Sequence, residues 1–274
     1  MTDQHRKAEA FQALQREGCF IIPNPWDVGS AKILQGMGFK ALATTSAGFA
    51  NSLGLQDYEV TRDMVLAHAK ALCDATKIPV TADLENGFGD APDTCAETIR
   101  LAAEAGLVGG SVEDFSSELA EQYDLEQSRD RVAAAAEAAR SLPFRFTLTA
   151  RAENFFTGLP DLADTIRRLQ AYQEAGADVL YAPGLRSLED IRSVLASIDR
   201  PLNVLMGPFD GFVSVADLAA LGIRRISLGS SLSNAAYGAL VSAGRELLET
   251  GTFGYAKDGV DGTELAAIMM PDNA

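Results

Sequence analysis

Short runs of apolar and β-branched residues recur along the chain and alternate with longer segments of helical periodicity. Eight runs have this character, at residues 19–24, 41–46, 78–85, 109–114, 144–153, 177–183, 201–207 and 224–230. Such short apolar runs are typical of strands, and the segments between them predict helices. Because the runs are nearly continuously apolar, we expect parallel strands that are buried on both faces.

The segment 161–176 shows the helical pattern most clearly. Its apolar positions fall on one face, Asp161 provides an N-terminal cap, and Gly176 ends the segment just before the next strand. Three more glycines likewise lie between a helical segment and the strand that follows it: Gly38, Gly106 and Gly222. This recurrence indicates one helix–strand unit that is used repeatedly.

Strict alternation of strands and helices predicts an α/β fold with parallel strands and right-handed crossovers. Eight such strands favour a closed (β/α)8 barrel of the TIM type, formed as a single domain over residues 1–274. We expect an N-terminal helix before the first strand and an extra C-terminal helical segment at 262–270. An open doubly wound sheet is the alternative, but no strand leads into a GxGxxG turn.

Composition narrows the classes of partner. The chain has 274 residues, 47% of them hydrophobic, and a formal net charge of −15. The charge argues against nucleic acid or an anionic membrane as a partner, because no basic block offsets it. With no apolar signal segment and no membrane-spanning run, we expect a cytoplasmic protein. Cys19, Cys73 and Cys95 have no paired spacing, so we expect free thiols.

Polar side chains collect where the predicted strands end. In a (β/α)8 barrel, the carboxyl ends of the strands carry the chemistry. The residues at these ends, or in the loops that follow them, are Thr44, Thr45, Ser46, Asp57, Asp83, Glu85, Glu113, Asp114, Arg151, Glu153 and Asn203. The sequence therefore predicts one acidic site with a single arginine in it.

The acids predict a metal site. Asp83 and Glu85 are two residues apart on a strand and face the same side, and Glu113 follows the neighbouring strand. Such carboxylates repel one another unless a cation lies among them or one is protonated. His5 and His68 lie on helical segments, so only oxygen donors are available, which favours Mg²⁺ or Mn²⁺ over zinc. The alternative is that each acid is a helix cap or an exposed loop charge.

Arg151 follows a run too apolar for a surface helix, and a buried guanidinium needs an anionic partner. It either grips a substrate carboxylate or forms a structural ion pair with Glu153 or Glu113. No lysine ends a strand, so a Schiff-base mechanism has no nucleophile. The GSS sequence at 229–231 either holds a phosphate or caps the last helix of the barrel, and we favour the cap.

Four segments, in order, carry a resemblance to a known family: NPWDVGSAKILQGMGFKALATTSAGFANSLGLQD, VTADLENGFG, SVEDF and TARAENF. Together they resemble the isocitrate lyase and phosphoenolpyruvate mutase superfamily. The resemblance implies a (β/α)8 barrel that often swaps its last helix with a neighbour, in a homotetramer built as a dimer of dimers. It also implies that members stabilise a pyruvate-like enolate.

The resemblance assigns roles to particular residues. It implies that Asp83 contacts Mg²⁺, with Asp57, Glu85 and Glu113 around the ion, largely through water. Arg151 would bind the carboxylate of the substrate, and Asn203 would make a further polar contact. The backbone cradle for the substrate would be formed by Thr45, Ser46 and Ala47.

Two segments depart from the family pattern. The lyases carry a loop with a Lys-Cys-Gly-His motif after the fourth strand, where this chain reads FSSELAEQYDLEQ without lysine, cysteine or histidine. The loop of the mutases, with its lysine and asparagine, is missing as well. After the sixth strand the chain has Ala182 and Pro183 in place of the glutamate of the lyases or the histidine of the mutases.

We therefore predict a Mg²⁺-dependent carbon–carbon lyase for a small 2-hydroxy or 2-oxo dicarboxylic acid, with a pyruvate-like or glyoxylate-like product. Catalysis would involve Arg151, Glu113 and Asp57. Decarboxylation of oxaloacetate needs the fewest groups. A retro-aldol reaction also needs a base, for which Tyr123 and Glu121 are candidates, although packing is the better interpretation of Tyr123. The alternatives are a phosphonopyruvate-type mutase or hydrolase and a non-catalytic binder of 2-oxo acids.

Overall fold

Eight parallel strands form the wall of a barrel in the computed structural model, which describes residues 2–158, 160–206 and 213–270. In chain order the strands are β1 (Phe20–Ile22), β2 (Leu42–Ala43), β3 (Val80–Asp83), β4 (Gly109–Glu113), β5 (Phe115–Ser116), β6 (Glu121–Gln122), β7 (Thr147–Arg151), β8 (Val179–Tyr181), β9 (Leu202–Leu205) and β10 (Arg225–Ser227). The wall has the order β1-β10-β9-β8-β7-β4-β3-β2, with parallel pairing throughout. Between β1 and β2, the N–H of Ala43 donates to the carbonyl of Pro23 at 3.1 Å. The predicted TIM-type α/β barrel is confirmed.

Helices follow the strands and cover the outside of the barrel. They are α1 (Asp3–Arg16), α2 (Val28–Gly36), α3 (Ser46–Ser52), α4 (Arg62–Ala75), α5 (Pro92–Glu104), α6 (Leu125–Ser141), α7 (Leu162–Ala175), α8 (Leu188–Leu195), α9 (Val215–Leu221), α10 (Ser231–Glu249) and α11 (Gly262–Met269). Gly176 ends α7 with a φ of 110°, in the left-handed region that favours glycine. Gly38, Gly106 and Gly222 have the same conformation, which confirms the repeated helix–strand unit.

Helix α1 closes one end of the barrel. Its Phe11 is fully buried and packs in a cluster with Ile22 and Val108. The side-chain amide of Gln12 donates to Oγ1 of Thr147, the first residue of β7, at 2.6 Å. Helix α1 therefore covers the amino ends of the strands and leaves the carboxyl ends, where the predicted polar residues lie, facing away from it.

The structure differs from the predicted pattern in three local features. The strands are shorter than the apolar runs, as in the run at 144–153, where β7 covers Thr147–Arg151. The loop after β4 contains an unpredicted antiparallel hairpin of β5 and β6. An additional helix, α3, precedes α4. The last residue of the predicted strand at 201–207 lies outside the described residues.

The C-terminal helices have a large exposed apolar surface. Ser233 is the buried residue of α10, whereas Leu240, Val241 and Leu248 are 67%, 49% and 90% exposed. Helix α11 packs so closely on α2 that a Cβ on Gly36 would lie 1.7 Å from the carbonyl oxygen of Ile268. No helix within the described ranges is long and apolar enough to cross a membrane.

Candidate active site

A cavity of about 320 Å³ opens at the carboxyl ends of the strands. Its size suits a small organic acid, because it lies at the lower end of the range for ligand pockets. Predicted residues that line it are Thr44, Thr45, Ser46, Ala47, Asp57, Asp83, Arg151 and Asn203. Glu85 and Glu113 are buried behind this lining, next to Asp83 and Arg151.

Arg151 pairs with three carboxylates at once. Its Nη1 lies 2.9 Å from Oδ1 of Asp83, and its Nη2 lies 3.1 Å from Oε2 of Glu113 on the neighbouring strand. Its Nε donates to Oε1 of Glu153 at 2.8 Å. The guanidinium is therefore held by structural ion pairs, and one edge of it still borders the cavity.

Asp83 is fixed from the two strands beside it. Its backbone N–H donates to Oγ1 of Thr44 at 3.0 Å, which ties β3 to the end of β2. The hydroxyls of Ser46 and Ser111 donate to its two carboxylate oxygens at 3.3 Å and 3.4 Å. These bonds orient the carboxylate toward the cavity before any ligand binds.

Glu85 has a strained backbone and an unpartnered oxygen. Its φ of 48° is unusual for a residue with a side chain, and Gly87 at 81° continues the turn over the rim. The side chain is buried, and Oε1 has no hydrogen-bond partner. Burial, together with the charges of Asp83 and Asp57, raises the pKa of Glu85 to about 8.

Glu113 is equally remote from solvent, and its Oε1 accepts a hydrogen bond of 2.8 Å from the hydroxyl of Tyr58. Burial raises its pKa well above the ordinary value, although Arg151 opposes this shift. Burial also raises the pKa of Glu153 to about 7. One guanidinium does not pair with every acid of this set, so the site holds a surplus of carboxyl groups.

This donor set fits a hard divalent cation such as Mg²⁺. The unpartnered Oε1 of Glu85 and the surplus of carboxylates are what a hydrated cation would satisfy. Among the described residues, no three Asp, Glu, His or Cys side chains lie close enough together to hold a metal ion by themselves. An ion at this site would therefore have to keep most of its water.

The start of α3 presents backbone donors to the cavity. Thr45 caps the helix by accepting from the N–H of Gly48 at 3.3 Å. The N–H groups of Ser46 and Ala47, in the first turn, have no partner within the helix. Both residues line the cavity, so their amides are available to an acidic group of a ligand.

The opposite side of the cavity holds two residues that the sequence analysis missed, Tyr181 of β8 and Arg225 of β10. Arg225 donates from Nε to Oδ1 of Asn203 at 2.8 Å, and the amide nitrogen of Asn203 donates to Oγ of Ser227 at 2.9 Å. Arg151 lies at 5.1 Å from the ring centre of Tyr181. Arg225 could have been recognised in the sequence as a charged residue inside the otherwise apolar run RRISLGS.

The structure corrects one sequence interpretation and decides another. The predicted serine cap of the last barrel helix is wrong, because Ser230 has φ −82° and ψ 6° and makes no capping hydrogen bond. This conformation keeps its hydroxyl away from the first-turn N–H groups, and it lines the cavity instead. Tyr123 is not placed to act as a base, since its hydroxyl donates to Asp90 at 2.5 Å and accepts from Asn86 at 2.9 Å.

Asp114 and the cysteines have structural roles. Asp114 points away from the cavity and pairs with Arg168 at 3.0 Å, and its other oxygen accepts from the N–H of Glu153 at 2.9 Å. It therefore anchors the end of β7 to α7. The three cysteines are free, as predicted.

The chain is similar to known proteins over most of its length. Residues 11–248 match the family described as phosphoenolpyruvate phosphomutase. A crystal structure of a Burkholderia cenocepacia protein, described provisionally as a lyase/mutase, superposes with a TM-score of 0.95 at 52% identity, covering 97% of this chain and 96% of that one.

Three sequence relatives extend the comparison. An uncharacterised Mycobacterium tuberculosis protein is 32% identical and covers 81% of this chain and 82% of its own length. A 2-methylisocitrate lyase of Halalkalibacterium halodurans is 29% identical, with 75% and 69% covered. An oxaloacetate decarboxylase of Bradyrhizobium diazoefficiens is 26% identical, with 98% and 94% covered.

Proposed function

The chain belongs to the phosphoenolpyruvate phosphomutase family, and on that premise we propose that it is a Mg²⁺-dependent carbon–carbon lyase for a small 2-oxo or 2-hydroxy dicarboxylic acid. The names of its relatives, which include a lyase and a decarboxylase, agree with an enzyme of this class. The observation that carries the proposal is the contact of Asp83 with Arg151 at the edge of the cavity.

An enolate-forming site needs a carboxylate that holds the cation and a donor that faces the substrate's C2 oxygen, and this contact places the two side by side. A 2-oxo acid bound between Asp83 and the start of α3 would place its carboxylate against the N–H groups of Ser46 and Ala47. Its C2 oxygen would face the guanidinium of Arg151, which is fixed by ion pairs to three carboxylates. Fixed donors next to the oxygen that becomes negative lower the barrier, because no reorganisation is needed during the reaction.

The residues suited to hold the cation are Asp83 directly, with Glu85, Glu113 and Asp57 around it through water. Mg²⁺ would supply positive charge beside the C2 oxygen. In a decarboxylation, the C3–C4 bond breaks, carbon dioxide leaves, and the bonding pair moves into the enolate. The chain itself then has to bind the enolate, exclude water and return a proton to C3.

Tyr181 is the group that we propose as the proton donor. It lies at the end of β8, lines the cavity, and has Arg151 close to its ring. Burial raises the pKa of Tyr181 to about 12, so the phenol holds its proton at neutral pH. After the phenolic proton passes to C3, solvent returns a proton to the phenolate. This role would replace the cysteine acid that the loop after β4 lacks.

Oxaloacetate is the first substrate to test. Its decarboxylation requires no base, whereas cleavage of a 2-hydroxy acid requires one to remove the hydroxyl proton. Tyr123 is engaged elsewhere, and Glu121 lies on the exposed hairpin. The relative named oxaloacetate decarboxylase covers nearly the whole chain.

A second candidate is cleavage or rearrangement of phosphonopyruvate. The cavity contains Arg186 and Arg225 in addition to Arg151, and a phosphoryl group would be attracted to these charges. A non-catalytic binder of 2-oxo acids would use the same site without a proton donor.

The test is turnover of oxaloacetate, 2-methylisocitrate and phosphonopyruvate with Mg²⁺ and with EDTA. We expect Mg²⁺-dependent release of pyruvate and carbon dioxide from oxaloacetate. Reaction of phosphonopyruvate alone would replace this proposal with the second candidate. If no substrate reacts while pyruvate with Mg²⁺ still raises the melting temperature, the protein is a binder and the lyase proposal is lost.

We also propose that the protein assembles as a dimer of dimers in the cytoplasm. The support for assembly is the exposed apolar side chains of α10, which include Leu240 and Leu248. A helix with this surface is normally covered, because exposed patches of this kind mark interaction sites. Exchange of the C-terminal helices between neighbours, in line with the swapped last helix that the family resemblance implies, would bury this surface.

A further inference from the structure

Arg225 is a buried cation without an anionic partner. It is 5% exposed, and within the described residues it makes no ion pair with a carboxylate. Its Nε donates to Oδ1 of Asn203 at 2.8 Å, and its Nη2 donates to Oγ1 of Thr149 at 3.0 Å. Both acceptors are neutral, so they orient the guanidinium without compensating its charge.

Two other buried arginines of the barrel are compensated by carboxylates. Arg151 contacts three carboxylates and Arg168 contacts two. Arg131, like Arg225, has neutral acceptors, the carbonyls of Gly89 and Asn86, but it does not line the cavity. An uncompensated charge in a protein interior is costly, and it persists where a ligand of opposite charge supplies the balance.

Arg225 reaches across the barrel interior from β10 to β7. It belongs to β10, yet its guanidinium contacts Thr149 of β7, two residues before Arg151 on the same inward face. One inward layer along a strand is roughly 7 Å. The two guanidinium groups therefore lie at different depths of one small cavity, and both line it.

The charges around the cavity are arranged with opposite signs at its two sides. The acids lie on β3, β4 and β7 and in the adjacent loops, whereas the inward side chains near Arg225 are Thr149, Tyr181, Asn203 and Ser227. Burial lowers the pKa of Arg225 to about 10, which leaves it charged at neutral pH. A cation at one side and a guanidinium at the other match an anion at both ends of a ligand.

We infer that Arg225, oriented by Asn203 and Thr149, binds the second carboxylate of the substrate and selects dicarboxylic over monocarboxylic acids. This inference rests on the proposed function, which places the 2-oxo or 2-hydroxy acid end of the substrate near Asp83. The bond to Arg225 also gives Asn203 a positioning role, since its Oδ1 is committed to the guanidinium. A guanidinium presents a planar pair of donors that fits a carboxylate with two parallel hydrogen bonds.

The experiment compares two ligands that differ by one carboxylate, lactate and malate, by titration calorimetry with Mg²⁺. Product is assayed during the titration to establish that neither is turned over. The variants are Arg225→Gln, which removes the charge, and Arg225→Lys, which keeps it. The matched control is Arg224→Gln, because the neighbouring Arg224 donates to the carbonyl of Gly18 outside the cavity.

The wild-type protein is expected to bind malate at least 10-fold more tightly than lactate. Arg225→Gln should weaken the affinity for malate by about 30-fold or more, because it removes one partner of a buried charge pair. The affinity for lactate should change by less than 3-fold. Arg225→Lys should recover part of the loss, and Arg224→Gln should bind both ligands as the wild type does.

Equal affinity of the wild-type protein for lactate and malate would overturn the inference without any variant, which covers the case in which Arg225→Gln does not fold. Equal weakening of both ligands in Arg225→Gln would also overturn it. Malate binding that depends on Arg225 without turnover of any substrate would support this subsite while removing the lyase proposal.

Discussion

Oδ1 of Asp83 lies 2.9 Å from Nη1 of Arg151, so the carboxylate expected to hold the metal ion also pairs with the guanidinium expected to hold the substrate. Asp83 has two oxygens, and the hydroxyl of Ser46 donates to the second one. A cation and Arg151 can therefore share this carboxylate. The geometry couples metal binding to substrate orientation.

Asp83→Asn removes the charge that a cation would contact and keeps the shape of the side chain. We expect Mg²⁺-dependent binding of pyruvate to weaken by more than 100-fold, because a neutral amide replaces the main ligand. Calorimetry with and without EDTA measures this loss. Asp93→Asn, in the exposed first turn of α5, is the control and should bind as the wild type does. Unchanged affinity of Asp83→Asn would remove the metal-site assignment.

Arg151→Gln leaves Asp83, Glu113 and Glu153 without the guanidinium that pairs with them. Removing one partner from a buried ion-pair cluster costs about 3–5 kcal/mol of unfolding free energy. The exposed pair of Arg129 with Asp130 provides the contrast, and Arg129→Gln should cost less than about 1 kcal/mol. Urea unfolding of both variants measures the difference. Similar losses in the two variants would contradict the buried network.

Tyr181→Phe removes the proton that we assign to the last step. We expect kcat for decarboxylation to fall by about 10²–10⁴, the usual contribution of a positioned acid, with a smaller change in KM. Tyr123→Phe is the matched control, because its hydroxyl bonds to Asp90 and Asn86 outside the cavity. A kcat within threefold of wild type in Tyr181→Phe would assign the proton to another donor.

His68 makes stability depend on pH. Burial lowers the pKa of this residue to about 4, and its ring stacks on Phe49 at 3.9 Å. Below pH 6.5 His68 binds a proton in the unfolded chain but stays neutral in the folded protein. The free energy of unfolding therefore decreases as the pH falls toward 4. Between pH 7 and pH 5 the free energy of unfolding of the wild type should fall by about 1–2 kcal/mol more than that of His68→Gln. Parallel pH profiles of the two proteins would exclude this effect.

Leu248→Asp tests the proposed assembly. Leu248 is 90% exposed on α10, and a charge there should disrupt a packed apolar interface. Sedimentation should show a tetramer for the wild type and a smaller species for the variant. The control is Leu119→Asp, on the β5–β6 hairpin, which is 54% exposed and should leave the mass unchanged. A wild-type protein that sediments as a monomer would contradict the assembly.

The barrel and most of the acidic site could be predicted from the chain alone. Apolar runs that alternate with capped helices admit few arrangements, because each strand must be covered on both faces. The carboxyl ends of parallel strands then meet at one end of the barrel, so Asp83, Glu113 and Arg151 had to lie close together. The helix-end glycines were also recognisable, since the left-handed turn excludes most other residues.

The partners of each charge could not be predicted in the same way. The sequence left two roles open for Arg151, binding of a substrate carboxylate or a structural ion pair, and the structure gives that guanidinium three carboxylates as well as an edge on the cavity. The cap predicted for the last barrel helix was wrong, because the backbone angles of Ser230 decide where its hydroxyl points and no local sequence pattern specified those angles.

The sequence by itself determined the fold, the family resemblance and the position of an acidic site, because periodicity and strand-end residues are local properties of the chain. Only the tertiary structure decided that Arg225 of β10 reaches Thr149 of β7, residues separated by 76 positions. Closure of the barrel creates this contact, since it brings strands that are distant in sequence to face one another across a single interior. Charge balance in that interior depends on such contacts.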